Sequence, residues 1–277
     1  HQRMAEAPTL RTYQHYLLLR LARLYPIHFV IFLGYLPLLA AASLAGSPMT
    51  GPDTFTLEQA IAHLTLTQSW HWADGLSWNW PSWSISAEFF AYAFLFPLYC
   101  WLFRRLPMGA MLTLLALTWG AACLYGQWSG HGFKTYHSGL FRITAEFLAG
   151  YMLFFWSRSR TLSPRQANGL FCGSLFFLLA LCFLPEWTEV FVLAPLCGLI
   201  FSLYYGSFLL NRVFGNSAIV YLGHISYAVY MVHNLMNISL DRALKMAGAS
   251  LPLPPLQAGA FMIFLSILTL SAAALCF

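Results

Sequence analysis

The chain has 277 residues, of which 59% are hydrophobic, 17% aromatic and only 8% charged. Soluble domains carry about 25% charged residues, so an ordinary soluble globule is excluded. The composition indicates an all-α, polytopic membrane helix bundle, whose apolar runs satisfy their own backbone hydrogen bonds. The net charge of +5 calls for no nucleic acid, because topology and an anionic lipid bilayer account for it.

Eight apolar segments are long enough to cross a bilayer, which takes roughly 17–25 residues each. They fall at Leu24–Ala45, Trp83–Phe103, Met108–Trp128, Gly139–Trp156, Asn168–Leu184, Val190–Leu210, Ser217–Leu240 and Leu256–Phe277. Pro26, Pro37 and Pro195 fall inside spans, where proline favours kinks. No internal repeat or low-complexity linker interrupts the run, so residues 1–277 read as one integral-membrane domain. The six cysteines all sit in apolar runs without CxxC spacing, and they read as small apolar residues.

Lys and Arg divide unevenly between alternate loops. With the N-terminus cytoplasmic, Arg3, Arg11, Arg20, Arg23, Arg104, Arg105, Arg158, Arg160, Arg165 and Arg212 share one side, against Lys134, Arg242 and Lys245 on the other. That imbalance sets the orientation. Arg20 and Arg23 lie three apart, just before a first span that starts at Pro26, on one helix face. They read either as positive-inside anchors or as a clamp for a phosphorylated donor, whose oxygens match guanidinium forks.

The longest loop, Gly46–Ser82, then faces outside and ends in QSWHWADGLSWNWPSW. Its Trp70, Trp72, Trp78, Trp80 and Trp83 read as an interfacial belt or as a stacking surface for a sugar. His63 and His71 lie in the same loop, and His131 and His137 in another. No metal-ligand spacing occurs among them, so no metal is expected.

Glu88 follows, inside the apolar run Trp83–Phe103. A carboxylate there costs several kcal/mol unless it faces an interior cavity. Arg142, Glu146 and His233 share that predicament. At about 1.5 Å per residue, Glu88 lies about 8 Å from the outer end of its span, Arg142 about 5 Å, and Glu146 and His233 about 10 Å. Arg142 and Glu146 are four apart, which makes them a self-satisfied ion pair, a functional pair, or both. Ser226, Tyr230, His233 and Asn237 recur at helical spacing as a polar stripe, as expected of a water- or substrate-lined path.

Taken together, RLARLYP (Arg20–Pro26), NWPSWSISAEFF (Asn79–Phe90), FRITAEFLAG (Phe141–Gly150) and LGHISYAVYMVHN (Leu222–Asn234) resemble the acyltransferase family three of multi-pass membrane acyltransferases. The resemblance implies about ten membrane helices and O-acylation of an extracytoplasmic acceptor, a polysaccharide, lipopolysaccharide or glycoside. The implied donor is cytoplasmic acyl-CoA, commonly acetyl-CoA, and the implied location is the bacterial inner membrane. Carried over by motif, Arg20 and Arg23 belong to the donor side. Trp83, Ser84, Glu88, Arg142, Glu146, Ser226, Tyr227 and His233 line the membrane site, and Tyr230 on the polar stripe joins the acceptor contacts.

Family members also carry, ahead of the RxxR motif, a helix with a catalytic histidine and an FFxxSGF-type segment. This sequence shows neither, and His1 and His15 lie outside every span. The resemblance therefore implies a chain cut at its N-terminus, and the lack of a polar tail after Phe277 implies the same at the other end. Such a piece is expected to be inactive by itself. The competing class is a transporter or flippase for a polar substrate. It predicts inverted repeats and broken helices at the midplane, which the sequence does not display.

Overall fold

The computed structural model describes residues 9–44, 46, 55–71, 78–130 and 136–246. Every regular element among them is helical. The long helices are α1 (Leu10–Leu44), α5 (Met108–Trp128), α6 (Gly139–Ser159), α7 (Pro164–Leu181), α8 (Leu193–Tyr205) and α10 (Ser217–Met246). Shorter ones are α2 (Leu57–Leu64), α3 (Trp83–Phe90), α4 (Phe96–Leu102) and α9 (Phe208–Phe214).

Four stretches among the described residues are long and apolar enough to cross a membrane: Leu10–Leu44, Trp80–Leu102, Met108–Trp128 and Thr188–Tyr205. This supports an integral membrane protein, with four spans by length and composition where the sequence reading expects eight. Helices form over Gly139–Ser159, Pro164–Leu181 and Ser217–Met246 as well, but polar residues dilute them, such as Arg142, Glu146 and Arg158 in α6. The segment expected at Leu256–Phe277 lies outside the described residues.

Two boundaries differ from expectation. The first helix does not begin at Pro26; it starts at Leu10 and runs through both Pro26 and Pro37. Arg20 and Arg23 therefore sit within α1 rather than ahead of it, three apart on one helical face. The expected span Val190–Leu210 breaks at Gly206, which adopts φ +55°. A Cβ there would lie 2.7 Å from Asn211 Oδ1, so the turn into α9 needs glycine for both its backbone region and its space.

The chain forms two compact units, one of His1–Leu17 with Ala87–Val220, the other of Leu18–Ser86 with Tyr221–Phe277. In the first, Ala91, Leu95 and Tyr99 pack with Met111 of α5 and Leu148 and Met152 of α6. Between α3 and α4 lies one π-helical segment, Ala91–Leu95, where the Phe96 N–H reaches back five residues to Ala91 O. Pro97 explains it, since a proline has no N–H for the carbonyl four residues earlier and its ring crowds that carbonyl. The carbonyl so released is Ala93 O, and the Tyr13 hydroxyl donates to it at 2.5 Å. Further along, α7 starts on a capping box, with Ser163 and Gln166 satisfying each other's backbone N–H. It packs closely on α8, where a Cβ on Gly198 would meet Ser174 Oγ at 2.2 Å.

The second unit is built around α1 from Leu18 onward, α2 and α10 from Tyr221 onward. Helix α2 corrects the picture of Gly46–Ser82 as an outer loop. Its N-cap Thr56 accepts from the Gln59 N–H, and its last carbonyls are taken by α1. Tyr25 OH donates to Leu64 O at 3.0 Å, and His28 Nε2 donates to His63 O at 2.8 Å.

Candidate functional site

Each unit holds its own polar cluster. In the first, Glu88 stands near the end of α3, and the Tyr92 hydroxyl, four residues on, donates to its Oε1. The Tyr92 ring meets Phe147 of α6 edge-on at 6.1 Å and Tyr16 at 6.0 Å, so packing fixes the group that orients the carboxylate. On α6, Arg142 donates through Nε and Nη2 to Glu146 Oε1 at 3.2 and 3.0 Å. Their side chains keep 21% and 31% exposure, so neither charge is sealed inside the protein. The i,i+4 spacing predicted that pairing. The same unit therefore carries two oriented carboxylates and a guanidinium.

The second cluster is neutral. Its centre is the turn Asn79–Trp83, which enters α3 through a 3₁₀ segment at Trp80–Ser82. Asn79 Nδ2 donates to Met231 O of α10 at 3.0 Å, and Asn79 Oδ1 accepts from Tyr35 OH at 3.4 Å. Asn234 Nδ2 donates to that same Tyr35 hydroxyl at 2.7 Å. Gln68 Nε2 donates to Ser82 O and Oγ at 2.9 and 3.0 Å, and Ser82 Oγ meets His63 Nδ1 at 3.3 Å. Ser69 Oγ bonds Ser86 Oγ at 2.9 Å. The polar residues of the NWPSWSIS stretch thus serve first to lock this turn.

From the locked turn, Ser84 projects its hydroxyl to Tyr230 OH at 2.9 Å. Tyr230 also bonds Pro81 O. One turn along α10, His233 Nδ1 faces Tyr230 O. A carbonyl only accepts, so Nδ1 carries the proton in the neutral ring and the basic lone pair stands on Nε2. Ser84 and Tyr230 are thereby brought together, while His233 is tied only to the backbone of its own helix. Tyr227 is differently employed, since its hydroxyl donates to Leu24 O at 2.7 Å and ties α10 to α1. Ser226 is exposed and bonds Gly223 O of its own helix. Trp83 is half-buried at the start of α3. In α1, Arg20 is half-buried and Arg23 exposed.

The tryptophans do not form one surface. Trp78 is buried, stacked on Phe32 at 4.5 Å, and has φ 49°, a strained region for a bulky residue that costs about 1–3 kcal/mol and persists where surroundings over-determine it. Trp70 is half-buried and donates to Ser86 O at 3.4 Å, Trp80 is exposed, and Trp72 lies outside the described residues.

Of two stacked histidines, His28 escaped the sequence reading and His63 was read only as a loop residue. His28 and His63 are 1% and 2% exposed, with rings stacked at 6.0 Å and only 3° apart. Because His28 Nε2 points at a carbonyl, its Nδ1 is a bare acceptor. Among the described residues, His28 Nδ1, Gln68 Oε1 and Trp78 Nε1 have no hydrogen-bond partner. Buried polar atoms are so rarely orphaned that each one points to strain, bound solvent or a functional role. The signal for His28 was legible as an imidazole inside an apolar span, and that for α2 as the capping sequence Thr56–Gln59. Among the described residues no three His, Cys, Asp or Glu side chains come together as a metal site would require.

No characterised protein and no solved structure matches the chain. A family model does, over residues 5–277, and its description is an acyltransferase domain. That match separates an enzyme from the transporter that intramembrane charges equally allow. With the model covering nearly all of the sequence, the chain belongs to the acyltransferase family three.

Proposed function

We propose that the protein is an O-acyltransferase of the bacterial inner membrane, with the N-terminus of this chain on the cytoplasmic side. It moves an acyl group, acetyl in the simplest case, from cytoplasmic acyl-CoA to a hydroxyl of an extracytoplasmic carbohydrate or glycoside. The observation that supports this reading beyond the family match is the tautomer of His233, whose Nδ1 proton goes to Tyr230 O and leaves a basic Nε2 on the helix whose Tyr230 hydroxyl bonds Ser84.

In this mechanism the acceptor oxygen attacks the thioester carbonyl, a C–O bond forms, the C–S bond breaks, and CoA leaves as its thiol. The proton lost by the hydroxyl passes to a base and from there to the departing sulfur. His233 Nε2 is the base this chain presents. Ser84, Tyr230, Ser226 and the faces of Trp83 and Tyr227 orient the acceptor. The bare acceptors His28 Nδ1 and Gln68 Oε1 suit further hydroxyl groups. The motifs alone assign Arg142, Glu146 and Glu88 of the first unit to the reaction, Arg142 as a cation suited to developing negative charge, Glu146 as its bonded partner, and Glu88 as a carboxylate aligned by Tyr92. Arg20 and Arg23 take the donor's phosphates, for which two forks on one helix face are well spaced.

The test is acyl transfer in membranes of cells expressing the full-length protein, supplied with radiolabelled acetyl-CoA. Label is expected in a base-labile ester on surface glycan. Loss of a general base lowers rates by about 10²–10⁴-fold, and His233→Gln is expected to fall in that range. Glu88→Gln, at matched expression, is expected to lose label as well. Undiminished transfer in both variants overturns the assignment of these residues; no transfer from any short acyl-CoA overturns the donor.

A further inference from the structure

The first unit contains an apolar cleft that acyl transfer does not use. Helices α5 and α6 pack as one antiparallel pair and α7 and α8 as another, and α6 touches α8. Three cavities, of about 400, 370 and 680 Å³, follow that junction and share Cys197. Leu112, Leu153, Trp156 and Phe201 are among the lining residues, with the Trp156 and Phe201 rings stacked at 4.9 Å. One end reaches Trp119 and Val190. The other opens at Arg160 and Thr161, where the Tyr205 hydroxyl pins the α6 terminus by bonding Ser157 O and Arg160 O.

Length and charge define an occupant. From Ala149 to Arg160 the cleft follows α6 for about 16 Å at 1.5 Å per residue, close to one leaflet of a bilayer whose hydrocarbon core is about 30 Å thick. Arg158, Arg160 and Arg165 cluster at one end, and residues 147–185 contain no Asp or Glu. Toward the opposite end Glu189 precedes the lining residue Val190. An amphiphile one leaflet deep, with its negative head at Arg160, matches both properties.

We infer that this cleft binds an anionic phospholipid, its phosphate at Arg160 and one acyl chain laid along Cys197 toward Trp119. Such a site is distinct from the acyl-transfer residues and tethers the α5–α6 and α7–α8 pairs through a lipid chain.

The experiment equilibrates the intact protein in mixed micelles with equal phosphatidylglycerol and phosphatidylcholine and weighs the retained complex by native mass spectrometry. Phosphatidylglycerol is expected to be retained at least fivefold over phosphatidylcholine. The preference should fall to near unity in Arg160→Gln, and retention of both lipids should drop in Cys197→Trp, which fills the cleft. Should Cys197→Trp fail to fold, chain length reads the same feature: eight-carbon phosphatidylglycerol is expected to bind at least fivefold more weakly than the sixteen-carbon form. Equal retention of the two headgroups overturns the proposal. So does a preference that survives Arg160→Gln, indifference to chain length, or displacement of the lipid by palmitoyl-CoA at lower concentration than by phosphatidylglycerol itself.

Discussion

The two polar clusters conceal polarity in opposite ways. The first keeps it as charge at half-exposed positions, with Arg142 paired to Glu146 and Glu88 held by Tyr92. The second keeps it neutral and far deeper, where His28, His63, Asn79, Ser82 and Ser86 are almost fully buried. Desolvating an ion costs several kcal/mol even when it is paired, whereas a neutral amide or hydroxyl is tolerated once its hydrogen bonds are made. Charge is therefore left at the edge of the protein, and neutral networks fix geometry in its interior. In chemical terms the first unit holds adjustable groups and the second a rigid frame.

The sharpest way to break that contrast is at the neutral centre. Asn79→Leu removes the donor to Met231 O and the acceptor for Tyr35 OH, between helices α10 and α1. Orphaning buried partners costs about 1–3 kcal/mol each, so a loss of about 3 kcal/mol is expected in thermal or detergent unfolding followed by tryptophan fluorescence. A loss below about 0.5 kcal/mol would show that the network is not the frame of this unit. Salt should leave the effect unchanged, since no ion takes part.

A smaller effect is expected in the charged cluster. Arg142→Met strips Glu146 of its bonded partner, and the reciprocal Glu146→Gln strips the arginine. Exposed i,i+4 pairs are worth about 0.3–0.5 kcal/mol, and partial burial strengthens the interaction, so a double-mutant cycle is expected to give about 1 kcal/mol. Unlike Asn79→Leu, this coupling should weaken as salt rises. A salt-independent coupling would mean that mobile ions do not reach the pair, and that its contrast with the neutral centre is one of burial alone.

How far these features were legible follows the same physics. The pair at Arg142 and Glu146 was readable because helical spacing alone places the two side chains together. Apolar runs located most helices for the same reason. Helix ends were not readable from hydropathy: Leu10–Arg23 is too polar to look like a span, yet it continues α1, and Gly206 ends α8 through a positive φ that hydropathy does not register. The frame of the second unit was hidden for a different reason. Asn79, Gln68 and His63 look like loop residues in sequence, and only the path of the chain reveals that Asn79 and His63 find partners on α1 and α10 while Gln68 turns back on Ser82. Nor does spacing along α10 tell which of Ser226, Tyr227 and Tyr230 has a hydroxyl to spare, because Leu24 O claims that of Tyr227.

The smallest effect tests whether the first unit also repairs neutral defects by the rule of the second. Ala93 O lacks a helical donor because Pro97 has no N–H, and the Tyr13 hydroxyl takes its place at 2.5 Å. Tyr13→Phe removes that hydroxyl and should cost about 1 kcal/mol, the usual net worth of one hydrogen bond. Pro97→Ala restores an N–H four residues beyond Ala93 and lets the π-helical segment relax to α-helix. In that background Tyr13→Phe should cost nearly nothing, because the carbonyl has regained its own partner. The cycle thus isolates cause from coincidence. Equal costs in both backgrounds would mean that Tyr13 stabilises through the packing of its ring, and that the proline has no part in placing it.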